Sequence, residues 1–508
     1  MQQERADGAA SSMGLAAVLA GSLAWRIGVL LTSDEVYRGA KWVASAILWL
    51  ADPKFLLSGN QGPMRVYLPA IPLALTGDPA STRWFMMLLG TAALVPFYYL
   101  CRRCFDRRTA LAATALLGFL PAHVNYGVIS EAMVPYTLFL FTALWAATAL
   151  VQGDRTRLGA ALLLLSMALG EAVRFEMALL ALPAFALLWT GRRRGAAAWV
   201  AFSAALFPAA WLLAGWAQTG DLLEPLRVSH QMGASQYHGY FMQTAREIGR
   251  ATTEGVFALN DPDSTRQRIL LFPILLVRQV SPVVLLFALA GLALWRRARL
   301  PLILGATALL TLLALGAGSL RMTVTAQERY LIPVSAMLLP FAAHAAGAIQ
   351  DRISGRRRVP LVAVLAAACC LYYAGTGYPQ RPRLSAEVSQ TVSHIRESIP
   401  EAEPLLCMDL ANKNVFEYHA GFDRRILGPS QESVDAFKRT GAVFAPEAVS
   451  LIREHRIRRL LIHSFYGFDR SESQMEDLGL RPRLLFSSTG GDFRIYGITA
   501  AGPDSEGD

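Results

Sequence analysis

Cysteine, charge and basic–aromatic runs are what this sequence has least of. Its five cysteines, Cys101, Cys104, Cys369, Cys370 and Cys407, are too few for a disulfide framework in 508 residues, and Cys407 stands alone in the tail. The pair in "CRRC" has the spacing of half a zinc knuckle, but without a second pair it carries no metal expectation. Only 17% of the residues are charged, and no basic stretch is interleaved with aromatics, so the net charge of +10 does not describe a nucleic-acid surface. The first residues also lack a basic leader and a small-residue cleavage site, so "MGLAAVLAGSLAWRIGVLL" is expected to be a retained first span.

What is plentiful is apolar sequence in long blocks, 54% of the chain. A bilayer core of about 30 Å takes roughly 20 apolar residues per helix. The expected fold is therefore a polytopic α-helical membrane protein of about eleven transmembrane helices with a small C-terminal soluble α/β domain. The spans fall at 13–31, 84–101, 109–123, 133–151, 158–172, 175–190, 196–216, 280–295, 300–317, 331–348 and 360–376. The loops after every second span, from Arg102 to Arg358, carry sixteen arginines against Asp106, Asp154 and Asp351. Positive loops stay inside, so the N-terminus is expected in the cytoplasm of an inner, plasma-membrane protein and the tail outside. Transmembrane domain and tail divide near residue 379, with external loops at 32–83 and 217–279 and a short external turn at 123–132. The 217–279 loop holds His230 and His238, neither at a ligand spacing.

In the tail, 380–508, "SAEVSQTVSHIRESI" and "PEAVSLIREHRI" have helical apolar spacing, while "PLLCMDL", "RRLLIHSF", "RLLFSS" and "FRIYGIT" read as strands. The tail is expected either to choose the acceptor or to cap and stabilise the molecule.

Chemistry-bearing residues gather on the outer face. Asp34 and Glu35 follow the first span directly, before an amphipathic helix, "DEVYRGAKWVASAILWLA", suited to the membrane interface. One reading makes them dipole-compensating acids behind Ser33 as N-cap. The other pairs Asp34 with Glu131 of the second external turn as a general base or as ligands of a divalent cation, Mg²⁺ or Mn²⁺. Arg174, between Glu171 and Glu176, and Arg329 with Tyr330 lie at the same boundary, with Arg321 upstream. Arginine at that depth needs a partner. A salt bridge to Glu328 or Glu176 supplies one, and a bound phosphate supplies another.

The ordered set "DEVYRGAKWV", "YLPAIPLAL", "LPAHVNYGVISEAMVPYTLFLFTALW", "ALGEAVRFEMALLALPAFALLW" and "RYLIPVSAMLLPFAA" resembles the C-type integral-membrane glycosyltransferases, in particular the protein O-mannosyltransferase and aminoarabinose-transferase-like group. The resemblance implies transfer of a sugar from a polyprenyl-phosphate donor to a glycan, lipid or protein acceptor on the outer face. It implies that Asp34 is the base, that Glu35 and Glu131 are its companions, and that Arg329 holds the carrier phosphate, alongside Tyr330, Arg174 and Arg321. Gln61-Gly62-Pro63 stands where many relatives carry a His-Pro-Pro-like stretch, which argues against a histidine-assisted metal. A flippase of lipid-linked sugars or a non-catalytic scaffold would share the topology without needing Asp34 as a base.

Overall fold

In the computed structural model the described residues are 2–51, 53, 63–154, 157–174, 177–223, 227, 264–295, 300–321, 328–353, 361–375, 384–408, 410–429, 443–444 and 446–500. Gln61, Gly62, Glu176, His230 and His238 lie outside them. The chain divides into two compact units, Met1–Ser33 with Trp49–Arg381, and Asp34–Leu48 with Pro382–Asp508.

The first unit is helical. Six described helices are long and apolar enough to cross a bilayer: Ser12–Leu31, Ala80–Cys104, Met133–Gln152, Arg194–Thr219, Leu300–Leu320 and Arg329–Arg352. The pair Thr265–Val280 and Pro282–Leu294, bent by 101°, makes a seventh if it counts as one span. The bend falls at Ser281, whose φ of 70° breaks the helix while its side chain caps the next one through the Val284 N–H. Four of the eleven expected spans coincide with shorter helices, Arg107–Phe119, Arg157–Val173, Leu182–Thr190 and Leu361–Gly375. At about 1.5 Å per residue, thirteen residues reach roughly 20 Å, less than a bilayer core. Apolar periodicity marks these segments as buried helices without fixing that each one spans.

Inside the unit, Phe97, Phe141, Phe272, Met337 and Phe341 belong to one continuous core. Outside, Leu75, Leu158, Leu286, Leu309 and Leu313 are exposed. That inversion suits a lipid solvent. Helices approach closely where a small residue allows it, as at Gly291, where an added Cβ would collide with the Phe341 carbonyl.

The second unit is a five-stranded sheet in the order β2-β1-β3-β5-β4, with β1 Leu405–Cys407, β2 Ile426–Leu427, β3 Arg459–His463, β4 Leu480–Ser487 and β5 Phe493–Ala500. β1 pairs in parallel with β2 and β3, while β5 runs antiparallel to β3 and β4. Side chains alternate across the sheet. Leu405, Cys407, Leu461 and Ile495 pack with Val388, Val392 and Ile395 of the Ala386–Ser398 helix. Leu406, Leu460, Ile462 and Tyr496 pack on the other face with Ala448 and Ile452 of the Pro446–Glu454 helix. Both expected helices and all four expected strands are present, together with β2 and the helices Leu410–Ala420 and Phe468–Asp477. The Tyr37–Ala51 helix also forms, and the fully buried Ala40 belongs to the first of these two cores.

Candidate active site

Glu131 ends the loop that follows the short Pro121–Asn125 helix, two residues before the Met133–Gln152 helix begins. Its carboxylate is fully buried and forms an ion pair with Arg329, which lies in the 3₁₀ turn Glu328–Leu331 and is itself buried. The sequence offered Glu328 or Glu176 as the acid for this arginine; the ion pair found among the described residues is with Glu131, and Glu176 lies outside them. Arg174, just past the Arg157–Val173 helix, lies 4.0 Å above the centroid of the Tyr330 ring, and the Arg329 guanidinium lies 5.3 Å from the same ring. Arg174 also reaches the Met133 sulfur at 3.5 Å.

A third guanidinium joins them. Arg65, near the start of the Met64–Thr76 helix, donates from Nε to the Val173 carbonyl at 3.2 Å. Its burial, then the charge of Arg174, push its pKa down to about 10 against the pull of Glu131, Tyr330 being a further stabilising neighbour and Arg329 a further opposing one. Among the described residues, three guanidinium groups thus gather near the Glu131 carboxylate. Planar, bidentate guanidinium groups of this kind suit an anion. Among the described residues no group of three metal-ligating side chains occurs.

The loop carrying Glu131 is tied down from below. Arg26, the lone charge of the first span, is fully buried and donates from Nη1 to the His123 carbonyl at 3.1 Å, from Nη2 to His123 Nδ1 at 2.5 Å and from Nε to Ser22 Oγ at 3.3 Å. His123 Nδ1 must accept there, so the ring is neutral with its proton on Nε2. Arg83 donates from Nε to the Val128 carbonyl at 2.9 Å and from Nη2 to Ser33 Oγ at 2.7 Å, and Thr82 shares a hydrogen bond with Ser130 at 2.6 Å.

Asp34 and Glu35 belong to the second unit. Residues 33–36 are neither helix nor strand, and the following helix starts at Tyr37, so Ser33 is not its N-cap. Asp34 is half-buried and its Oδ2 accepts the Leu384 N–H at 3.1 Å. Glu35 is fully buried, with Oε1 accepting the Val36 N–H at 3.2 Å. Arg321 stands exposed at the end of the Leu300–Leu320 helix, its backbone N–H on the Ala317 carbonyl.

The family model of dolichyl-phosphate-mannose-protein mannosyltransferases matches residues 60–216, a segment that contains Arg65, Glu131 and Arg174. The structure of ArnT from Cupriavidus metallidurans bound to undecaprenyl phosphate superposes with a TM-score of 0.62 at 12% identity, covering 96% of this chain and 99% of that one. The chain has a C-type membrane glycosyltransferase fold. The archaeal oligosaccharyltransferase AglB from Archaeoglobus fulgidus, in complex with an inhibitory peptide and a dolichol-phosphate, shares this glycosyltransferase fold with a TM-score of 0.54 at 13% identity, over 97% of this chain and 74% of that one. No curated protein matches the sequence.

Within the glycosyltransferase fold, the sequence reading missed Arg65, Arg83 and the role of Arg26. Arg26 carried a legible signal, a single charge inside an apolar span. Arg65 carried a weaker one, a cation two positions before Tyr67, which opens the "YLPAIPLAL" block.

Proposed function

We propose that this protein is a glycosyltransferase that takes a sugar from a polyprenyl-phosphate carrier and joins it to a glycan, lipid or protein acceptor on the outer face of the membrane. The observation that carries the reading is the cluster of Arg65, Arg174 and Arg329 near Glu131 and Tyr330, in a fold shared with solved structures that carry undecaprenyl phosphate or dolichol-phosphate. Planar guanidinium groups suit a phosphate, and the carrier phosphate is an anion of that kind.

In this mechanism Asp34 accepts the proton of the acceptor hydroxyl. The hydroxyl oxygen attacks the anomeric carbon, the bond from that carbon to the phosphate oxygen breaks, and the configuration inverts. The electron pair leaves on the polyprenyl phosphate, whose added negative charge Arg65, Arg174 and Arg329 stabilise. Tyr330 holds Arg174 and Arg329 in place through its ring. A long polyprenyl chain favours the bilayer, so the phosphate is offered at the interface, which explains why such chemistry is housed in a membrane. The arginine-rich loops support a cytoplasmic N-terminus and an external α/β domain.

The test is to supply wild-type membranes with a panel of labelled polyprenyl-phosphate sugars and search the products for a new glycosidic bond. Label joined to an acceptor supports the reading. Label that crosses the bilayer still attached to its carrier means a flippase.

A further inference from the structure

The base assigned above lies in a segment with no regular structure of its own. Residues 33–36 form neither helix nor strand; Ser33 and Val36 bond to near neighbours and Arg83, while Asp34 and Glu35 also have partners far along the chain. The Leu384 N–H, 350 positions later, donates to Asp34 Oδ2 at 3.1 Å. Leu384 is fixed in turn because it immediately precedes Ser385, which caps the Ala386–Ser398 helix by accepting the Val388 N–H at 3.2 Å. His419, in the last turn of the Leu410–Ala420 helix, meets the Glu35 carbonyl at 2.7 Å through Nε2. A carbonyl only accepts, so His419 carries its proton on Nε2. Five residues further, Ala40 is fully buried in the core that Val388, Val392, Ile395 and Val415 build.

Two hydrogen bonds and one core residue therefore bind the segment on either side of its acid to the folded tail, and Asp34–Leu48 belongs to the same compact unit as the tail. We propose that the C-terminal domain is the positioning element of the base, with His419 as a positioning residue that orients the Asp34 segment through the Glu35 carbonyl while the Leu384 amide directs the carboxylate itself. The proposal rests on the transferase reading of Asp34. The physical reason is geometric. A carboxylate accepts through two oxygens, so an amide on Oδ2 sets the plane in which Oδ1 meets the acceptor hydroxyl. A displacement of about 1 Å at a reacting group can cost on the order of a hundredfold in rate. A domain that only stabilises the molecule would instead change the amount of folded protein and leave the turnover of each folded molecule alone.

The experiment uses the full chain in detergent, as wild type, His419→Leu and His419→Gln, with two readouts. Hydrogen exchange over residues 36–48 is expected to speed up at least tenfold in His419→Leu, with the Met133–Gln152 helix unchanged. Donor kinetics at matched folded protein are expected to show kcat reduced at least tenfold and KM for the polyprenyl-phosphate donor within twofold. The glutamine side chain can donate to the same carbonyl, so His419→Gln is expected to recover most of both effects. Exchange that ignores His419, or kcat per folded molecule that stays at the wild-type value in His419→Leu, overturns the proposal. So does a loss that the glutamine does not rescue and that follows the folded fraction. If exchange responds as expected but the wild type transfers sugar from no carrier, the proposed function fails and the catalytic consequence falls with it, leaving only a structural tie.

Discussion

Arg329 and Glu131 show how one residue pair joins stability to function. Removing one member of a buried ion pair leaves the other charge stranded, at a cost of about 3–5 kcal/mol, whereas replacing both by apolar groups of similar volume is often close to neutral. Glu131→Gln and Arg329→Met are each expected to lower the unfolding midpoint in detergent sharply. The double variant Glu131→Leu/Arg329→Met is expected to recover most of that loss while remaining inactive in transfer. A double variant that transfers at the wild-type rate would remove the pair from the mechanism. A second single-residue effect belongs to the tail. His394 stacks on Phe486 at 4.4 Å, and burial, followed by the charge of Arg459, holds its pKa below the ordinary 6.5 against the opposing pull of Glu397. The native state therefore binds this proton less readily than the unfolded chain, so the stability His394 confers is present above pH 6.5 and is lost as the pH falls from there through the lower folded-state pKa. Pulse proteolysis of the tail across this range should show the decline in the wild type and a flatter profile in His394→Gln.

At the scale of elements, close packing sets the tolerances. A Cβ at Gly291 meets the Phe341 backbone rather than a movable side chain, so Gly291→Ala must push the Pro282–Leu294 helix away from Ile332–Ile353. Overpacking of this kind typically costs about 1–3 kcal/mol, to be read as a lowered melting midpoint of the full chain. An unchanged midpoint would mean that the two helices do not pack as described. The elements most legible in the sequence were those with one strong period. In the tail, "FRIYGIT" alternates between two cores and became β5, and "SAEVSQTVSHIRESI" presents Val388, Val392 and Ile395 to one of them. Strand β2 has two residues, too few to show a period. The short helices of the first unit read as spans because burial inside a bundle and burial in lipid leave the same apolar signature. Ser33 looked like a cap because "SDE" is a good capping sequence, but Arg83 holds its hydroxyl and the helix starts four residues later.

For the whole molecule, Glu131, Arg174 and Arg329 could be named one by one from the sequence, but Arg65 and the grouping of the four could not. Glu131 and Arg329 are 198 positions apart and Asp34 and Leu384 are 350 apart, distances over which no local pattern carries information. The arginine-rich loops remain a whole-chain prediction. Reporter fusions at the loops of Arg103, Arg193 and Arg352 are expected to read as cytoplasmic, and a fusion at the C-terminus as external. A C-terminal reporter on the cytoplasmic side would invert the topology and place the site on the wrong face for an externally offered acceptor.

The most direct measurement is transfer of labelled sugar from a polyprenyl-phosphate donor by the wild type and by Asp34→Asn at matched folded protein. The account predicts that the wild type forms a new glycosidic bond and that Asp34→Asn lowers kcat/KM at least a hundredfold, about 2.7 kcal/mol of lost transition-state stabilisation. An Asn variant as active as the wild type would show that Asp34 is not the base, and the assignment of the first external loop to catalysis would fall.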